Sequence, residues 1–232
     1  MTSVRRELTQ GQWLEALGVD PFWIVNDLPT VKPVESDAST PIADIQQDVA
    51  AVDAAIKSCK QCGLARHRKQ AVPGSGDQKA EWLLVGEAPG VDEDRAGLPF
   101  VGQSGLLLDA MLAALDLKRD QGVYLTNAVK CHPEENRTPT TDEMDLCNGY
   151  LNQQIEQIQP KVILALGRSA AYAVLGQETS IQSLRGAVHY RAQGEIRIPV
   201  VVTYHPAYLL REPAEKWKAW QDLLLARKAI NT

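Results

Sequence analysis

Four short apolar runs constrain the fold of this chain more than any other feature: WLLVG at 82–86, VYLT at 123–126, VILAL at 162–166 and PVVVT at 199–203. Each is shorter than an ordinary helix and apolar at successive positions, as in a strand buried on both faces. Helical periodicity fills the intervals, predicting helices over roughly 43–57, 104–116, 141–158 and 168–175, a further strand near 187–192 and a C-terminal helix from about 214. Strands alternating with helices imply an α/β fold, with a mostly parallel sheet covered on both faces.

With 232 residues and 44% hydrophobic content, the chain can bury such a core without disulfide or metal support. No run of eighteen apolar residues is present, so no membrane span is expected, and MTSVRRELTQ lacks the apolar stretch of an export signal. A cytoplasmic protein is the expectation. The net charge of −5 weighs, at first sight, against binding nucleic acid. Its distribution reverses that impression. Residues 1–56 hold three basic and nine acidic side chains, a net of −6, whereas the remainder holds 21 and 20, a net of +1. Pro29, Pro33 and Pro41 mark a linker, so the expected division is an N-terminal arm over 1–42 and one domain over 43–232.

In parallel sheets of this kind, ligands bind beyond the carboxyl ends of the strands. The loop after WLLVG reads Glu87-Ala88-Pro89-Gly90-Val91-Asp92-Glu93-Asp94 and runs on to Phe100. After VYLT come Asn127, then Lys130-Cys131-His132-Pro133 and Asn136-Arg137; after PVVVT comes the run from His205 to Arg211. Singly, each residue has a plain structural role: Asn127 as a turn residue, His205 as a bonded loop histidine, Phe100 as core, the acidic run as solvated loop. Together they bring carboxylates, an amide, an imidazole and an aromatic ring to one crevice, and that convergence favours a functional site.

The four cysteines, Cys59, Cys62, Cys131 and Cys147, are separated by 2, 68 and 15 residues. A Cys-x-x-Cys turn presents two thiolates to one group and two distant cysteines can complete the set, which suits structural zinc or an iron–sulfur cluster; spacing alone favours neither. A redox dithiol at Cys59 and Cys62 is disfavoured, because no thioredoxin-like strand precedes the pair.

Over about residues 52–228 the chain resembles the family 4 uracil-DNA glycosylases. The likeness is carried by Cys59-Lys-Gln-Cys62, GEAPGVDED, LPFVGQSGLLLDAML, TNAVKCHPEENRTP, Cys147 and HPAYLLR. It implies a three-layer α/β/α domain, a 4Fe-4S cluster on Cys59, Cys62, Cys131 and Cys147, and excision of uracil from DNA. Glu87, Phe100, Asn127 and His205 match the family's uracil-pocket positions. Ala88 stands where the best-known branch of the superfamily has a water-positioning aspartate, which leaves Glu87 and Glu93 as candidates for that task.

The chemistry is consistent with these positions. A stacked base must be extruded into a pocket before it is read. The Asn127 amide can donate to uracil O4 and accept from N3, a pattern that cytosine inverts, and Phe100 offers a stacking surface. His205 is expected to donate to O2, where charge grows as the glycosidic bond breaks. Exclusion of thymine has to be steric, with Glu93 or its loop neighbours filling the space of the C5 methyl. Arg137 and Arg211 are expected to meet DNA, with the 206–211 segment entering the minor groove as a wedge.

Residues 6–23 of the arm somewhat resemble the N-terminal peptide of the psi subunit of the bacterial DNA polymerase III clamp loader. That likeness opens an alternative, a replication adaptor with a vestigial pocket, and a preferred reading, a monomeric working glycosylase tethered to clamp loader or other replication proteins. Deleting residues 1–41 is expected to leave uracil release from a single-stranded oligonucleotide intact; loss of release in that truncation would rule out a mere tether.

Overall fold

The computed structural model describes residues 49–230. The arm read over 1–42, its boundary with the domain and residues 43–48 of the first expected helix lie outside the described residues. The described chain opens with α1 (Val49–Ser58) and a 3-10 turn (Gly63–Arg66), then β1 (Ser75–Gly76), β2 (Trp82–Gly86), α2 (Val91–Ala96), α3 (Gln103–Ala113) and β3 (Val123–Asn127). There follow α4 (Thr141–Ile158), β4 (Val162–Leu166), α5 (Arg168–Leu175), α6 (Ile181–Leu184), β5 (Val188–Gln193), β6 (Ile196–Thr203), α7 (Pro206–Arg211) and α8 (Lys216–Ala229).

The sheet runs in the order β1-β3-β2-β4-β6-β5. Its inner four strands are parallel, and β1 and β5 close the two edges antiparallel to β3 and β6. Every residue of β2, β3 and β4 is buried. The pleat sends alternate side chains to opposite faces. Leu83, Val85, Ile163 and Ala165 pack under Leu151 and Ile155 of α4 and under Ala170 and Val174 of α5. Leu84, Leu164 and Leu166 meet Leu108 and Leu112 of α3 and Leu223 and Ala226 of α8 on the other side. The result is the expected three-layer α/β/α arrangement.

The longest helix, α4, starts at a reciprocal cap: Glu143 N donates to Thr140 Oγ1 at 3.2 Å and Thr140 N donates to Glu143 Oε2 at 2.9 Å. Its buried Met144, Cys147, Leu151, Ile155 and Ile158 recur at helical spacing, so one stripe faces the sheet.

Two segments read as loops from sequence are helical. Val91–Ala96 forms α2 because Glu93 turns back to bond the Gly90 N–H, with Asp92 and Asp94 beside it in the first turn. Pro206–Arg211 forms α7 because His205 acts as its N-cap and Pro206 occupies a first-turn position that needs no donor. The expected helix 104–116 ends at Ala113, and the C-terminal helix begins at Lys216 after a 3-10 turn over Pro213–Glu215. None of the described helices is long and apolar enough to cross a membrane.

One buried ion pair ties α8 to the chain leading into β5. Arg185 Nε donates to Asp222 Oδ2 at 2.7 Å, with the aspartate side chain 1% exposed, and the same guanidinium lies 4.4 Å from the Tyr204 ring centroid. Removing one partner strands the other charge in the interior. Asp222→Ala is therefore expected to lower unfolding free energy by about 3–5 kcal/mol in urea titration. Glu81→Ala, which breaks the exposed Lys161–Glu81 pair, is expected to cost no more than about 1 kcal/mol.

Candidate active site

The parallel register sets the ends of β2 and β3 side by side, with Gly86 opposite Asn127. Beyond these ends lies a cleft of about 510 Å³, into which the loops after β2, β3, β4 and β6 converge. All eight residues read from sequence as pocket or DNA candidates line it: Glu87, Ala88, Glu93, Phe100, Asn127, Arg137, His205 and Arg211.

Asn127 is 2% exposed and lines the cleft. A buried amide in a cleft wall is placed to exchange hydrogen bonds with a ligand. Gly86 makes room for it, since a Cβ there would come within 2.3 Å of Asn127 Oδ1 and 2.6 Å of Phe100 Cζ.

Phe100 holds an uncommon backbone conformation for a bulky residue, with φ at 54°. Arg119 pins the turn, donating from Nη1 to the Pro99 carbonyl at 3.2 Å and from Nη2 to the carbonyls of Phe100 at 2.7 Å and Gly105 at 3.2 Å. Gly105 is required at that approach, because a Cβ there would lie 1.8 Å from the Phe100 carbonyl oxygen. So held, the Phe100 ring stacks with His205, centroids 5.8 Å apart and planes inclined by 28°.

The Ala207 backbone N–H donates to His205 Nδ1 at 3.1 Å. An accepting Nδ1 leaves the proton of the neutral ring on Nε2. Burial, with Arg211 adding a smaller repulsion, lowers the imidazole pKa to about 4, so the ring is neutral at physiological pH.

The two carboxylates differ in what occupies them. Glu87 Oε2 accepts from Ser169 Oγ at 2.5 Å, and Ser169 is held almost fully buried at the start of α5. Glu93 is saturated by backbone: Oε2 accepts from Gly90 N at 3.0 Å, and Oε1 accepts from Val101 N at 3.1 Å and Gly102 N at 3.2 Å. Glu93 thus braces both ends of the 90–102 loop. Arg137 is likewise engaged, its guanidinium bidentate on Glu143 at 2.8 and 2.7 Å. Arg211 is exposed and, among the described residues, makes no recorded ion pair or hydrogen bond.

Sequence reading overlooked the loop after β4, where Gly167 lines the cleft, Arg168 is exposed and Ser169 orients Glu87. The signal was available, because VILAL is a parallel strand like its neighbours and its carboxyl end opens on the same crevice.

The four cysteines line a single small cavity together with Arg68, Lys130 and Tyr150. None of the four is in a disulfide; Cys131 and Cys147 are buried, and Cys59 and Cys62 are half-buried. Burial pushes the Cys131 thiol up to about 11 against the pull of Arg68, and raises that of Cys147 against the pull of Lys130. Leu64, Val129 and Met144 form the apolar surround, against which Ala88 also packs. Among the described residues, no group of three or more His, Cys, Asp or Glu is placed to hold a single metal ion.

The family profile of the uracil DNA glycosylase superfamily matches residues 73–224. The chain is 44% identical to the type-4 uracil-DNA glycosylase of Archaeoglobus fulgidus over 162 residues, covering 68% of this chain and 81% of that protein. It is 47% identical to the type-4 enzyme of Sulfurisphaera tokodaii over 67% of this chain and 73% of the relative, and 43% identical to that of Thermotoga maritima over 67% and 80%. These relatives are enzymes and lend no support to a replication adaptor, and the psi-like segment lies outside the described residues. With its cleft at the strand ends and identity of this order across most of those proteins, the chain belongs to the uracil-DNA glycosylase superfamily, in its type-4 branch.

Proposed function

We infer that the chain is a uracil-DNA glycosylase acting in DNA repair, and that the cleft at the strand ends performs the excision. The observation that carries the site assignment is the Asn127 amide, almost wholly buried in the wall of the cleft beside Phe100 and His205. Uracil offers the amide matching partners: its O4 accepts from the amide NH₂ and its N3–H donates to the amide oxygen. Against an amide held in this orientation, cytosine presents the reverse pattern and leaves both sides unpaired, at about 1–3 kcal/mol for each buried group. Phe100 stacks on the extruded ring, and the loop braced by Glu93 forms the wall that excludes the C5 methyl of thymine.

Hydrolysis breaks the C1′–N1 bond, with the electron pair leaving on uracil and positive charge developing at the sugar. His205, neutral with its proton on Nε2, donates to O2 as negative charge grows there. Glu87 holds the water: Ser169 fixes one carboxylate oxygen, leaving the other to orient the nucleophile and take its proton as the C1′–O bond forms. The uracil anion acquires a proton after departure. The Glu93 carboxylate, filled by three backbone donors, serves the loop and takes no part in activating water. Arg211 meets a phosphate beside the flipped nucleotide. Arg137 contacts DNA only through whatever donor capacity its pairing with Glu143 leaves.

The cysteine cavity supports the reading of a 4Fe-4S cluster on Cys59, Cys62, Cys131 and Cys147. A zinc ion needs four sulfurs about 2.3 Å from one point, whereas a cubane takes one thiolate per iron and suits a wider set. Its contribution is structural, joining the 59–62 turn to the segments that carry Cys131 and Cys147. A monomer is the default for a base-flipping enzyme of this size. Cysteines that serve as ligands and not as disulfides fit a reducing, cytoplasmic setting. A clamp-loader partner rests on the psi-like segment alone.

Uracil release from a single-stranded oligonucleotide, measured in single-turnover kinetics, is expected to fall by about 10²-fold or more in Asn127→Ala and by about 10²–10³-fold in His205→Ala. Wild-type rates in both variants would overturn the site assignment. Because the His205 imidazole is held down to about 4, the rate should show no acid limb centred on its ordinary 6.5. Only below about pH 5 should protonation of Nδ1 break the Ala207 contact and slow the step. A limb at 6.5 that disappears in His205→Gln would overturn the neutral-donor role.

A further inference from the structure

One cation at the cysteine cavity has no part in the chemistry of uracil excision. Arg68 is half-buried, and its guanidinium spans two separate stretches of chain. Nη1 donates to Cys131 Sγ at 2.8 Å, while Nη2 donates to the carbonyls of Lys57 at 3.0 Å and Cys59 at 2.9 Å. Lys57 and Cys59 lead into the Cys59–Cys62 turn, whereas Cys131 lies beyond β3. A single planar fork therefore bridges the two stretches that would supply ligands from opposite sides of the cavity. Lysine, with a point charge on a flexible stem, cannot reproduce that geometry. The neighbouring cation, Lys130, spends its donors on the oxygens of Thr126, Asn127 and Gln154.

We propose that Arg68 is the positioning residue of the iron–sulfur site, holding Cys59 and Cys131 in register and, through its hydrogen bond to the Cys131 sulfur, raising the reduction potential of the cluster. The inference rests on the cluster reading given above. Hydrogen bonds to cluster sulfurs stabilise the more negative, reduced state, and a cationic donor does so more strongly than a neutral one. Outer partners that orient ligands commonly account for 10–100-fold in metal retention.

The test uses full-length protein purified anaerobically, with Arg68→Gln and Arg68→Lys beside wild type. Iron and sulfide per chain, the rate of loss of visible absorption in EDTA, and the potential by protein-film voltammetry are measured. Circular dichroism reports the fold. Arg68→Gln should lose its cluster about 10–100-fold faster than wild type and show a lower potential. Arg68→Lys, which keeps the charge without the fork, should also lose it faster but keep a potential nearer wild type. Wild-type lifetimes and potentials in both variants overturn the proposal, and faster loss at an unchanged potential overturns its electronic half. If Arg68→Gln fails to fold, a wild-type lifetime in Arg68→Lys overturns the positioning role. Wild-type protein free of iron and sulfide overturns the cluster reading itself, and this inference with it.

Discussion

A buried ammonium holds the two halves of the domain's chemistry together. Lys130 is 1% exposed, and its Nζ donates to Thr126 Oγ1 at 2.6 Å, Gln154 Oε1 at 2.7 Å and the Asn127 carbonyl at 2.8 Å. Thr126 and Gln154 in turn both donate to the Pro73 carbonyl. A charge this deep is tolerated only when each of its donors is satisfied. The network anchors the end of β3, the C-terminal half of α4 and, through the Pro73 carbonyl, the approach to β1. Asn127 begins where that network ends, and Cys131 follows it directly. The pocket amide and the cysteine cavity are therefore built on one rigid turn, with Ala88 and Cys131 bordering the same apolar cluster.

The rest of the cleft is shaped by backbone groups that charged side chains hold in place. Glu93 gathers three N–H groups from both ends of the 90–102 loop, and Arg119 gathers three carbonyls from its far end and from α3. Between them Phe100 is kept in the left-handed region, at a local cost of about 1–2 kcal/mol. That strain sets the ring against His205 and above the gap left by Gly86. Preorganisation of this kind lets donors face developing charge without rearranging during the reaction. The cap of α7 acts alike: His205 Nδ1 accepts from the Ala207 backbone N–H, so the ring is oriented by backbone before any ligand arrives.

Much of this was legible beforehand. The runs at 82–86, 123–126 and 162–166 are observed strands because apolar residues on both faces admit little else, and Asn127 and Glu87 fall at their ends as the topology requires. The α2 and α7 turns were missed because they are short and their caps are a glycine backbone and a histidine side chain, which carry little sequence signal. The engagement of Glu93 and Arg137 was hidden for another reason. A carboxylate or guanidinium reads as available until its partners are known, and Glu93 is satisfied in part by backbone amides eight and nine residues away.

By itself, the sequence determined the α/β architecture, the crevice at the strand ends, the residue types that reach it, and a cysteine set suited to a metal centre, because periodicity and motif spacing are local properties of the chain. Only the tertiary structure decided which of those groups are open to a ligand. It buried the Asn127 amide in the cleft wall, put the His205 proton on Nε2, gave Ser169 to Glu87, and took Glu93 and Arg137 into internal bonds. These outcomes depend on burial and on partners brought in from other strands and helices, and a hydrogen bond between distant residues exists only once the sheet has placed them side by side.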